Sequence, residues 1–141
     1  MNYQLDIKIQ GNPIAKKRPR FFRRGNYTGA YNSQETEEGR FLLEAMAQLE
    51  KAKHLLPIPK GTPITMWCWF AMPMPQSVQK AFNKGKVIQH TKKPDLDNLI
   101  KFVKDCLNGQ VWHDDSQVIR VDATKFYAGA PDTEIRIRWE G

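Results

Sequence analysis

The sequence predicts an α+β domain: a mixed β-sheet of about four or more strands with two main helices packed on one face. Three observations carry this expectation. Tyr3, Leu5, Ile7 and Ile9 alternate with Gln4, Asp6 and Lys8, the period-two signature of a half-buried strand. Over residues 96–107 the period changes: Leu96, Leu99, Ile100, Phe102, Val103, Cys106 and Leu107 share one arc of a helix, and Asp97, Asn98, Lys101, Lys104 and Asp105 the other. Segments of both kinds alternate through 141 residues, a length that suits a single domain, 1–141, with a core of its own.

Taken in order, the first strand ends at Gly11, Asn12 and Pro13. Residues 14–33 are basic, aromatic and glycine-dotted with no sustained period, which reads as an extended or hairpin-like arm. The first helix is expected over 34–53, with Ser33 as N-cap, Glu35, Glu37 and Glu38 at the positive dipole end and Lys51 and Lys53 at the other. Phe41, Leu42, Ala45, Met46 and Leu49 form its apolar stripe. After the breakers of 56–63, the run "ITMWCWFAM" reads as a central strand buried on both faces. Residues 73–94 are a basic connection with Lys80, Lys84, Lys86, Lys92 and Lys93, and room for one helical turn after Ser77. The helix at 96–107 follows. Strands at 117–127 and 133–139 are joined by "AGAPD", a hairpin-compatible connection.

The net charge of +7 and pI near 9.5 point to an anionic partner. The charge is concentrated: "KKRPRFFRR" holds six cations, leaving 16 of the 22 lysines and arginines against all 15 acids. Lys16, Lys17, Arg18, Arg20, Arg23 and Arg24, interleaved with Phe21 and Phe22, form either a candidate DNA surface, in which the cations meet phosphates and the rings stack on or wedge between bases, or a solvated face over a small apolar anchor. Lys92 and Lys93 extend a second basic stretch. Cys68 and Cys106 have neither CxxC spacing nor a zinc pattern, and read as reduced, buried thiols. The beginning lacks the apolar stretch of a signal peptide, and the apolar part of 61–79 is confined by prolines to nine residues, too short to span a bilayer. These features predict a soluble, cytoplasmic protein with no membrane partner.

Against this basic background, Asp95, Asp97, Asp105, Asp114 and Asp115 fall within 21 residues. Two readings stand side by side. In one, Asp95 caps the helix, Asp97 favours its dipole and pairs with Lys101, and Asp114–Asp115 shapes a turn before the next strand. In the other, the acids gather, and their mutual repulsion calls for a cation. Magnesium takes a few carboxylates and keeps waters for a phosphate substrate, and Lys101 then stabilises charge on the reacting phosphate or orients the attacking water. The spacing lets Asp114 and Asp115 either return to the helix start or lie far from it.

"KPDLDNLIKFVKDCLNG" followed by "VWHDDSQV" resembles the RusA family of Holliday junction resolvases, small Mg²⁺-dependent endodeoxyribonucleases, and "GNPIAKKRPR" and "FAMPMP" resemble the versions carried by phages and prophages. The resemblance implies a RusA-like fold. It also implies Asp95, Asp97 and Asp115 as metal-binding catalytic carboxylates and Lys101 as the catalytic lysine. Asp114, at the adjacent acidic position, is a further candidate metal ligand, and Asn98, which fits the motif too, either orients a carboxylate or belongs to the helix start. Mg²⁺ is the implied cofactor, with Mn²⁺ able to substitute, and branched DNA, in the form of four-way junctions, the implied partner. A homodimer is implied as well, because a junction of two-fold symmetry needs matching cuts. Trp67, Trp69 and Trp139 either fill the core or contribute to that interface. The alternative is a non-catalytic nucleic-acid-binding module whose aspartates only cap a helix and shape a turn.

Overall fold

The computed structural model describes the backbone of residues 1–141 except Pro19, Asn32, Ser33 and Val87, and the side chains of the rest except Arg20, Phe22, Ala30 and Tyr31. The elements in chain order are β1 (Asn2–Gln10), β2 (Arg20–Arg24), β3 (Tyr27–Tyr31), α1 (Glu35–Gln48), a 3₁₀ segment (Glu50–Leu55), β4 (Ile64–Pro73), α2 (Gln76–Asn83), α3 (Leu96–Leu107), a second 3₁₀ turn (Asp115–Gln117), β5 (Val118–Ala128) and β6 (Asp132–Glu140). The class is the one the sequence predicts, a mixed four-stranded sheet with helices. The arm is a hairpin of its own: Arg24 pairs with Tyr27, and Gly25 supplies the left-handed φ of +58° that the two-residue loop requires.

The sheet order is β1-β6-β4-β5. β1 and β6 run antiparallel, with Leu5 opposite Ile137 and Ile7 opposite Ile135, so each cross-strand pair presents two branched apolar side chains to the same face. β6 is antiparallel to β4, and β4 is parallel to β5. The last two strands are therefore not a hairpin: β4 lies between them, and residues 129–131 span two strand spacings. Two spacings are about 10 Å, within the reach of a short extended connection. The aromatic and β-branched run of β4 takes hydrogen-bonded neighbours on both sides, which the adjacency of β5 and β6 in sequence could not reveal.

Parallel neighbours cannot be joined by a tight turn. The connection from β4 to β5 instead runs through α2 and α3, and it lays α3 across the sheet with its N-terminus at the carboxyl ends of β4 and β5 and its C-terminus at the amino end of β5. This placement governs everything said below about the site.

The core lies between the sheet and two helices. Leu5, Ile7, Met66, Cys68, Phe70, Ile135 and Ile137 are buried on the sheet, and Phe41, Ala45, Leu49, Leu99, Phe102, Val103 and Leu107 on the helices. Phe41 of α1 meets Phe102 of α3 edge-on, ring centroids 5.5 Å apart. Burying one such large side chain contributes about 1.5–3 kcal/mol, so the apolar stripe of each helix fixes which face it presents. Both cysteines are buried free thiols, as read, and burial pushes each up to about 12.

Three expectations are corrected. β4 is not buried on both faces: with both main helices on one side, Trp67 and Trp69 stay half-buried on the other, covered by Arg138 at 5.1 Å and Arg136 at 5.7 Å respectively. Trp139 belongs to the core and stacks on Tyr3 at 5.2 Å. The first helix stops at Gln48, where the Leu49 N–H is shared between the Ala45 and Met46 carbonyls and the chain tightens into the 3₁₀ segment, which carries Lys51 and Lys53. The connection after β4 holds an eight-residue helix, α2, that starts at Gln76, where one turn after Ser77 was expected. The Ser33 cap lies outside the described residues. Gln34 flanks the helix start, and its buried amide accepts from Lys17 N–H at 2.6 Å and donates to the Ala15 carbonyl at 2.7 Å, pinning the root of the arm. Among the described residues no helix is long and apolar enough to cross a membrane.

Candidate active site

α3 starts at Leu96 with Asp95 in extended backbone conformation before it, and the Asp95 carbonyl accepts from Asn98 and Leu99. The Asp95 carboxylate, however, caps nothing. It is half exposed to solvent and accepts from the Lys93 ammonium with both oxygens, at 2.8 and 3.0 Å. These bonds and the attraction behind them hold Asp95 below the usual carboxylate range and Lys93 above the usual lysine range. Asp97 is exposed in the first turn, and Lys101, also exposed, stands one turn further along the same face. Two carboxylates and a lysine thus line the solvent side of the α3 start, and none of the three is spent on closing the helix.

The second acidic pair behaves differently. Asp114 is a working cap: its carboxylate accepts from Ser116 N–H at 2.9 Å and forms a capping box with Gln117. Hydrogen bonding from the Ser116 side chain, and then from its backbone N–H, lowers the Asp114 pKa. Asp115, half-buried, accepts from the indole N–H of fully buried Trp112 at 2.8 Å. Buried Gln117 ties the turn down by accepting from His113 and Asp114 N–H groups and donating to the Pro59 and Thr62 carbonyls. Gly109, with φ +82°, reverses the chain after α3, so this turn sits at the helix C-terminus.

Asp95 and Asp97 therefore stand at one end of α3 and Asp115 at the other. Twelve helical residues span about 18 Å. Among the described residues no group of three or more histidines, cysteines and acids is close enough to hold one metal ion. Of the two arrangements the spacing allows, the fold gives the separated one within a single chain. The acids fit a divalent ion in kind, since Asp95 and Asp97 offer hard oxygens open to solvent.

The basic arm is rooted beside the α3 start. Lys16 N–H donates to the Asn98 carbonyl at 2.9 Å, and Lys16 Nζ bridges Glu38 at 2.7 Å and Asp105 at 3.1 Å, joining α1 to α3. Burial alone would lower its pKa, but the two carboxylates outweigh that and raise it. Lys17 lies 3.6 Å from Glu37. Arg18, Arg23, Arg24 and Phe21 are exposed, and Phe21 keeps 76% of its surface in water. The side chains of Arg20 and Phe22 lie outside the described residues. Lys92 is exposed next to Lys93.

A comparison with known families decides what these residues belong to. Residues 10–138 match the family described as Endodeoxyribonuclease RusA. The chain belongs to the RusA endodeoxyribonuclease family. A relative from Bacillus subtilis (strain 168), described as "Uncharacterized protein YqaN", is 32% identical over 139 residues, covering 95% of each chain. The RusA match runs through the arm, the acidic helix start and the strand after Asp115, so family membership rests on nearly the whole fold.

Two positions of this RusA chain escaped the sequence reading. Trp112 holds Asp115, and Lys125 of β5 donates to the Lys92 and Pro94 carbonyls at 2.6 and 2.8 Å, just before Asp95. A signal existed for the second. Lys125 falls at an inward position of the alternation Val121, Ala123, Lys125, Tyr127, where an apolar residue is the rule.

Proposed function

We propose that the chain is a Mg²⁺-dependent, structure-selective endonuclease that resolves Holliday junctions by hydrolysing phosphodiesters, and that it works as a homodimer. The observation carrying this reading is the pair of exposed acids at the start of α3, rooted beside a basic hairpin in a RusA-family chain. A carboxylate that merely stabilised the helix would accept from its first N–H groups. Asp95 does not, whereas Asp114 does so at its own turn.

In this reading Asp95 and Asp97 hold the ion and Asp115 completes the set. Mg²⁺, with Mn²⁺ able to replace it, supplies a Lewis acid for a phosphate oxygen and a more acidic bound water. Lys101 faces the same solvent space as Asp97 and stabilises negative charge on the reacting phosphate. Arg18, Arg23, Arg24 and Lys92 meet the phosphates of the junction arms, and Phe21, on a strand too exposed to be packing, is free to stack on an unpaired base. Lys16 is committed to Glu38 and Asp105 and serves to dock the arm.

The separation of Asp115 from the other two acids calls for a second copy, whose Asp115 joins the Asp95 and Asp97 of the first. The helix-free face of the sheet suits such a partner. It carries five acids, Asp6, Asp122, Asp132, Glu134 and Glu140, and four bases, Lys8, Arg120, Arg136 and Arg138, around half-buried Trp67 and Trp69. A face with one more acid than bases, in a chain of +7, is poorly matched to phosphate, and its mixed charges suit a second copy of itself. The direct test is cleavage of labelled four-way junctions with Mg²⁺ and with EDTA. Asp97→Asn is expected to bind junctions and leave them uncut; a variant that still cuts contradicts the assigned site.

A further inference from the structure

Lys125 is placed where the fold wants an apolar side chain. It pairs with Phe70 in the β4–β5 register, and Phe70 pairs with Thr133, so its side chain shares the helix-covered face of the sheet with two buried residues. Its ammonium donates to two neutral carbonyls, those of Lys92 and Pro94, at 2.6 and 2.8 Å. None of the ion pairs among the described residues includes it. A half-buried ammonium held chiefly by carbonyl dipoles is a costly way to fill space, and methionine would fill it without that penalty.

The two carbonyls bracket Lys93 and stand immediately before Asp95. The same stretch touches β5 twice more: Gln89 bridges to Phe126, and His90 packs on Tyr127 with ring centroids 4.7 Å apart. These two contacts settle residues 89–90, but among the described residues only Lys125 donates to the peptides next to the acid. Lys125 also lowers the pKa of Asp95 by its charge, as the smallest of several causes. We infer that Lys125 is a positioning residue for the catalytic site: from the sheet it clamps the 92–94 peptides and thereby fixes where the Asp95 carboxylate stands relative to Asp97. The inference rests on the endonuclease reading for its effect on cleavage. The clamp itself is independent of that reading.

The experiment compares wild type, Lys125→Met and Lys125→Arg, the last because a guanidinium fork can also donate to two carbonyls. Hydrogen exchange of peptides spanning 90–98 reads the clamp, Mn²⁺ titration followed by electron paramagnetic resonance reads metal affinity, junction binding is measured in Ca²⁺, and single-turnover cleavage is measured in Mg²⁺. Lys125→Met is expected to exchange faster over 90–98, to bind Mn²⁺ at least fivefold more weakly, to bind junctions within twofold of wild type, and to cleave at least tenfold more slowly. Lys125→Arg is expected to recover most of each loss. Unchanged exchange and Mn²⁺ affinity in Lys125→Met overturn the inference, and so does a cleavage loss that follows weaker junction binding, since Lys125 would then be a phosphate contact. If Lys125→Met does not fold, Lys125→Leu, which likewise has no donor, is judged by the same criteria, and if neither folds the inference is judged on Lys125→Gln, whose uncharged and shorter amide is expected to show the same losses in part. A wild type that binds metal and never cuts junctions refutes the endonuclease reading and leaves exchange and Mn²⁺ affinity to decide the clamp.

Discussion

Replacing Gln117 with leucine tests how the Asp115 turn is held. The side chain is buried, 6% exposed, and its amide makes four hydrogen bonds to backbone groups of two separate segments: it accepts from His113 and Asp114 at 2.9 and 3.1 Å and donates to Pro59 and Thr62 at 3.0 and 3.2 Å. Leucine keeps most of the volume and removes all four. A net value of about 1 kcal/mol per bond gives a loss of about 4 kcal/mol, reduced to about 3 if water reaches the rim of the site. For a domain of this size that corresponds to roughly 10 °C in Tm. Urea titration followed by tryptophan fluorescence measures it, with an unchanged m-value confirming that the unfolded state is not the cause. A loss below about 1 kcal/mol refutes the view that Gln117 is the principal tie of this turn.

The arm separates docking from DNA contact. Lys16→Met is expected to lower stability, because it removes the ammonium that half-buried Glu38 and Asp105 share, whereas Arg23→Ala is expected to leave the melt unchanged, to weaken junction binding, and to reduce the salt slope by about one; parallel melts and salt titrations check both. His90 makes stability depend on pH. Burial, then the Lys125 charge, holds its pKa below the ordinary 6.5, so the folded chain stays neutral where the unfolded chain takes a proton. Its contribution is complete above that ordinary value and lost as pH falls below it. Urea midpoints at pH 7.5 and 5.5 are expected to fall towards acid for wild type, with a shallower fall for His90→Phe.

The elements with an uninterrupted period were legible in the sequence. α3 runs from Leu96 to Leu107, as its apolar arc predicts, and β1 follows its alternation. The first helix was read too long because a 3₁₀ segment continues the same rows of apolar and charged residues without the same hydrogen bonds. The pairing of β5 with β4 was out of reach, since a short connection between two strands looks alike whether they are neighbours or one strand apart. The same limit governs the acids. "DLDN" and "HDD" locate the residues, but whether they meet depends on the crossover that sets α3 along β5, a long-range feature. The pairing of Asp95 with Lys93 depends on side-chain conformation, and the clamp from Lys125 depends on strand register. Only the misplaced charge in the β5 alternation pointed to the second.

The central claim is that Asp95 and Asp97 of one chain act with Asp115 of another, and mixing two inactive variants tests it most directly. Asp97→Asn and Asp115→Asn, each inactive alone, are combined under conditions that exchange subunits and assayed on labelled four-way junctions. The mixed dimer then holds one complete site, made from the intact Asp95 and Asp97 of one chain and the intact Asp115 of the other, and nicking is expected to return. If the mixture stays as inactive as its components although heterodimers have formed, the acids do not act across the two chains, and the account is contradicted.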